Sequence, residues 1–148
     1  MDITIREMGK LDSAKCQELT VQLGYPDGTV DFDKRFSLIK KLPHHHLVVA
    51  ENKSEKKIVA MMHLEIRYLL ETSFKVQISA VVVDENVRSK GIGQKLLAYA
   101  ENWAKSCGFK EVFLYSNLVR KETHDFYLKH GYINSKDSKV FTKSLEKI

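Results

Sequence analysis

The chain is poor in the residues that staple, stiffen or anchor a protein. Among its 148 residues are two cysteines, two prolines and one tryptophan. Cys16 and Cys107 are too few and too far apart for a disulfide framework, and they read as reduced thiols of a cytoplasmic protein. With only Pro26 and Pro43, no segment can act as a polyproline spacer. No apolar run is long enough to cross a bilayer, and Met1–Lys10 lacks the apolar centre of a signal peptide, so no membrane partner is expected. Repeats and low-complexity stretches are absent as well. Apolar residues make up 43% of the chain and are spread along it, which argues against intrinsic disorder. The length suits a single domain, 1–148, that buries a core without metal or disulfide staples.

What the chain has is positive charge and a clear alternation of patterns. The net charge of +5 and pI of about 9.1 allow a polyanionic partner, or only a lysine-rich surface. Ile3–Arg6 alternates as a short strand. Asp12 or Ser13 can cap a helix that carries Cys16, Leu19 and Leu23 on one face and ends at Gly24. After the turn at Tyr25–Gly28, a helix from about Asp33 to Leu42 turns Phe32, Phe36 and Ile39 inward. His46–Glu51, Lys57–Leu70 and Phe74–Val83 read as a meander of three strands joined by polar turns. A helix opening at Gly91 carries Ile92, Leu96, Leu97, Ala100, Trp103 and Ala104 at helical spacing, with Gly108 at its C-terminal cap. Glu111–Ser116, Glu122–His130 and Lys139–Leu145 follow as strand, helix and strand. The class is α/β (α+β) with a mixed, mostly antiparallel sheet of six to seven strands and about four helices.

Chemistry concentrates in Val81-Val82-Val83-Asp84-Glu85-Asn86-Val87-Arg88-Ser89-Lys90-Gly91-Ile92-Gly93-Gln94. A buried strand feeds a basic loop with two glycines, and the loop turns straight into a helix. Glycine permits close backbone approach, and the free N–H groups of a helix start favour a pyrophosphate. Arg88 and Lys90 add compensating charge. A P-loop is excluded because no glycine-lysine-serine/threonine follows four spacers. A Rossmann fingerprint is excluded because Leu96 stands where the third glycine belongs.

The remaining arginine-x-x-glycine-x-glycine pattern resembles motif A of the GNAT (Gcn5-related) N-acetyltransferases. The succession of elements on either side resembles that family too, as do Asn117 after the fifth strand, Phe126-Tyr127, and Gly131-Tyr132. The resemblance covers nearly the whole chain. It implies acetyl-CoA as cosubstrate, with Val81, Val82 and Val83 beside the pantetheine arm and Arg88, Ser89, Lys90, Gly91, Ile92, Gly93 and Gln94 on the pyrophosphate. Asn117 would complete the cofactor site. An amine would attack the acetyl carbonyl directly, a backbone N–H near Val81 would steady the oxyanion, and Tyr127 would protonate the leaving thiolate. A phenol, with a pKa of about 10, is a suitable acid for a thiol of about 8.5. Without the family context, Tyr127 would read as an aromatic packed beside Phe126.

One departure concerns the base. Many relatives carry a glutamate four residues before Val81, where this chain has Gln77; His63, Glu65 and the remoter Glu111 are the substitutes in view. His44, His45 and His46 cannot all converge on one ion, so no metal is expected and one of them is left to line the acceptor site. The stretch with Asn117, Arg120, His124 and Tyr127 is most similar to members acting on small amines such as aminoalkylphosphonates. The expected partner is thus a small-molecule amine, not nucleic acid, for which no helix-turn-helix, zinc pattern or basic-aromatic strand is present. A homodimer is allowed but not argued for. Two alternatives stay open: a CoA-binding sensor on the same fold without turnover, and a basic nucleic-acid-binding module.

Overall fold

The computed structural model describes residues 1–118 and 121–146. Those residues divide into two compact units, Met1–Tyr115 and Ser116–Ile148. The first contains β1 (Ile3–Glu7), α1 (Ser13–Leu23), α2 (Phe32–Lys40), β2 (His45–Asn52), β3 (Lys57–Arg67), β4 (Lys75–Val83), α3 (Ile92–Ser106) and β5 (Val112–Leu114). Short 3-10 turns precede α1, α2 and α3. The second unit contains α4 (Lys121–Lys129).

The sheet follows chain order, β1-β2-β3-β4-β5. The first four strands pair antiparallel and β5 lies parallel to β4. On one face, Cys16 and Leu19 of α1 and Phe36 of α2 meet Val49, Met61 and Val82 of the sheet, with Leu23, Phe32 and Leu47 packed around them. The i, i+3, i+7 spacing of Cys16, Leu19 and Leu23 places all three on one helical face. Gly24 then ends α1 at φ 113°, a left-handed conformation that glycine adopts without a side-chain clash. On α3 the buried residues are Ile92, Leu96, Leu97, Ala100 and Ala104, and this helix contacts β1, β3, β4 and β5. Burial of Cys16 pushes its thiol up to about 12, with Asp12 adding to the shift, so it is a small core residue and no nucleophile.

Two expectations about the sheet need correction. Lys139–Leu145 forms no strand, and Val140, Phe141 and Leu145 are each nearly fully exposed. The reason is visible in its pattern: Lys139, Phe141, Lys143 and Leu145 would share one face, so neither face is apolar enough to settle on a core. The sheet among the described residues therefore has five strands, not six or seven. The fifth is also shorter than Glu111–Ser116, because only Val112, Phe113 and Leu114 find partners on β4.

Candidate active site

β4 changes character half-way along. Val76, Gln77 and Ile78 are flanked on one side by β3 and on the other by β5. The β3 register then skips Ser79, pairing Leu64 with Ile78 and His63 with Ala80, so Ser79 is a bulge. Beyond it β5 has ended, and Ala80–Val83 keep a ladder only to β3 within the first unit. Bulges re-aim strands and often border active sites. Val82 is buried against the helices, while Val81 and Val83 are half-buried and, among the described residues, one backbone edge of this part of β4 has no strand beside it.

The loop after β4 is held from a distance. The Asp84 N–H donates to the Val59 carbonyl at 2.8 Å, and the buried Asp84 carboxylate accepts from the Asn86 N–H at 3.1 Å. Lys15 of α1 reaches the same carboxylate at 2.6 Å. Gln22, also on α1, donates to Asp84 at 3.4 Å and accepts from the Glu85 N–H at 2.9 Å. Burial by itself would raise the Asp84 carboxyl. Lys15, the Asn86 N–H and Gln22 outweigh burial and hold the carboxyl below the ordinary carboxylate value. Arg88 Nε then donates to the Val83 carbonyl at 3.1 Å, folding the loop back on the strand it left.

The turn into α3 uses positive φ at Ser89 (65°) and at Gly91 (80°). Gly91 stands at the N-cap and no side chain caps the helix. The N–H groups of Ile92, Gly93 and Gln94 therefore lie in the first turn, where an α-helix supplies no carbonyl partner. Arg88, Ser89 and Lys90 are exposed beside them. Dipole, N–H groups and cationic side chains together suit a bound anion. Gly93 has no positive φ, so any need for glycine there concerns close approach, not backbone freedom.

The α1/α2 face of the sheet carries polar groups near the bulge. Gln77 pairs with Glu65, its Oε1 accepts from Arg67 at 2.5 Å, and Ser79 donates to Glu65 at 3.4 Å. His63 and His45 share a ring-to-ring hydrogen bond of 2.8 Å. Burial, with His45 as neighbour, lowers His63 to about 4, and burial lowers His45 as well. His46 turns to the other face, bonded to the Tyr99 hydroxyl at 2.7 Å and stacked on Trp103 at 5.0 Å. Glu111 is ion-paired with Lys75 at 2.7 Å. A surface depression lined by Lys10, Asp33, Lys34, Phe36 and Ser37 shares no residue with any of these groups.

In the second unit, His124 Nε2–H donates to the Asn117 carbonyl at 2.9 Å. Tyr127 lies in the last turn of α4, its ring 5.5 Å from Phe126 and 5.8 Å from Tyr132. The Tyr132 N–H donates to the Tyr127 carbonyl, and Gly131 ends the helix at φ 90°. Arg120 lies outside the described residues.

Residues 14–132 match the profile of the acetyltransferase (GNAT) family. The chain belongs to that family. It is 34% identical over 104 residues to an aminoalkylphosphonate N-acetyltransferase of Salmonella typhimurium, a match covering 70% of this chain and 65% of that one. It is 31% identical over 122 residues to a glucosamine 6-phosphate N-acetyltransferase of Arabidopsis thaliana, covering 79% of this chain and 80% of the relative. A GNAT family acetyltransferase of Staphylococcus aureus superposes with a TM-score of 0.75 at 28% identity, covering 98% of this chain and all of the other.

Within this GNAT protein, sequence reading located the β4–α3 loop but missed what holds it. Lys15 and Gln22 gave no local signal, since their role depends on α1 crossing the sheet beside Asp84. The sequence starts its strand at His46, whereas β2 already includes His45, whose hydrogen bond to His63 follows from the β2–β3 register. Among the described residues no helix is long and apolar enough to cross a membrane.

Proposed function

We propose that the chain is one acetyltransferase domain that moves the acetyl group of acetyl-CoA to a primary amine of a small molecule within a ternary complex. The observation that carries this reading is the free edge of β4 running into an uncapped, cation-flanked helix start. That order of features suits the amide-rich arm and then the pyrophosphate of one extended ligand. The family match runs through both units, which supports treating 1–148 as a single functional domain.

In this reading the backbone of Val81, Val82 and Val83 pairs with the pantetheine amides. Arg88, Ser89, Lys90, Gly91, Ile92, Gly93 and Gln94 surround the pyrophosphate, and Asn117 completes the cofactor site. The amine nitrogen attacks the carbonyl carbon, the C–S bond breaks, and Tyr127 gives its proton to the departing sulfur. A backbone N–H near Val81 receives the developing oxyanion. The amine must also shed a proton. Gln77 has no basic atom and Glu111 is engaged by Lys75, which leaves His63 and Glu65 as acceptors. The two named enzyme relatives support a small, anionic amine as the acceptor class.

Thermal melting tests the binding step. Acetyl-CoA should raise the melting temperature by linkage, about 2.7 kcal/mol at a hundredfold excess over Kd. Pantetheine, which lacks the pyrophosphate, should do far less. Equal stabilisation by both would remove the loop from the site. An amine panel followed by thiol release then tests turnover; tight binding without thiol release from any amine would make the protein a CoA sensor.

A further inference from the structure

We propose that His44, His45 and Glu65 form a binding site for a transition-metal dication of the Zn²⁺ type. One ligand atom from each of the three residues falls within 4.8 Å of the others. His45 faces Glu65 directly across the β2–β3 ladder, so the register itself brings imidazole and carboxylate together. His44 ends the turn before β2 and is free of strand alternation. Its ring therefore lies on the same side as that of His45, with centroids 4.4 Å apart.

The supporting contacts resemble those of a metal site. A ligating histidine ordinarily has its second ring nitrogen in a hydrogen bond, which fixes the tautomer and the ring plane. His45 Nδ1 is bonded to His63 Nε2 at 2.8 Å, leaving Nε2 of His45 as its available donor. Glu65 is oriented by the Ser79 hydroxyl at 3.4 Å. The Tyr68 ring lies 6.3 Å from that of His44. Two imidazoles and one carboxylate select zinc, nickel or copper over magnesium or calcium, which prefer oxygen. Zinc bonds of about 2.0–2.2 Å require the three donor atoms to draw together, which rotation of half-exposed side chains permits. Opposing the ion is Arg67, whose Nε lies 3.9 Å from Glu65, although its NH1 is committed to Gln77. The inference goes beyond acetyl transfer and does not depend on it, since the site is built entirely from β2, β3 and the turn before β2.

The test is calorimetric titration of tag-free, chelator-stripped full chain with zinc chloride, without acetyl-CoA or amine. Cobalt absorption serves as the spectroscopic readout. One equivalent of zinc should bind, and His44→Ala and Glu65→Gln should each weaken it. Loss of an outer hydrogen-bond partner typically costs roughly 10–100-fold in metal affinity, and loss of a ligand at least as much. Arg67→Gln should strengthen binding, and His124→Ala, which alters a histidine outside the cluster, should leave it unchanged. Melting of each variant without metal reports whether it is folded. No binding at millimolar zinc would overturn the proposal. So would a zinc affinity unchanged by either His44→Ala or Glu65→Gln, because each of the three ligands should contribute to holding the ion. Failure here leaves the acetyl-CoA melting shift untouched, so the two readings fail separately.

Discussion

Tyr127 illustrates how far a single residue can be read. Its ring contacts Phe126 and Tyr132, contacts that Tyr127→Phe would preserve. A hydroxyl that serves only in catalysis leaves the melting temperature and the KM for acetyl-CoA nearly unchanged in that variant. If the hydroxyl gives a proton to the thiolate, kcat should fall on the order of 10²-fold. The deficit should shrink with an acyl donor whose thiol leaves more easily. Unchanged kcat in steady-state assays would remove Tyr127 from the mechanism. At this scale the sequence is a good guide to chemical type and a poor one to surroundings. Gln77 is legible as a non-base from its name alone, whereas the Arg67 contact that occupies its amide is not.

Between elements, α1 sets the start of the loop that α1 itself never joins in sequence. Lys15→Met removes the cation from a buried carboxylate and retains the hydrocarbon stem. Lys15 is partly exposed, so a cost of about 1–2 kcal/mol is expected, below that of a fully buried pair. Because Asp84 also organises the Asn86 N–H, acetyl-CoA affinity should fall several-fold in parallel with the melting temperature. Calorimetry on Lys15→Met checks both. An unaltered Kd would mean that β4 and Arg88 shape the loop without α1. The helices and the first four strands were legible because their periodicity is local. The final strand was misread because alternation along Lys139–Leu145 supplies β-forming residues without an apolar face.

Across the whole molecule, one acid-sensitive contact joins three parts of the first unit. Arg6 of β1 donates to both oxygens of Asp12 before α1, each at 2.9 Å, and to Glu51 of β2 at 2.9 Å. The Arg6 contact holds the Asp12 carboxyl below its ordinary value; burial opposes this and the Gly9 N–H assists it. A depressed folded pKa gives stability that is complete above the unfolded value of about 3.9 and is lost as pH falls through the folded one. Screened at the partly exposed guanidinium, the contribution is about 1–2 kcal/mol. Urea midpoints should therefore drop below about pH 4 more steeply in the wild type than in Asp12→Asn. Parallel curves for the two proteins would show that Asp12 carries none of the acid response.

By itself the sequence determined the order of elements from β1 to α4, the glycine-bearing turn into α3 at Gly91 and the family. Each of these is written in spacing over a few residues, and local spacing is where backbone propensity and side-chain periodicity act. Tertiary structure alone decided which distant side chains meet. The bulge at Ser79 shifts the β3–β4 register and sets which β4 residues lie opposite His63 and Glu65, while the antiparallel β2–β3 ladder carries His45 to both. A one-residue change in strand pairing sends a side chain to the opposite face, and that choice depends on the partner strand and the turn as well as on a strand's own alternation.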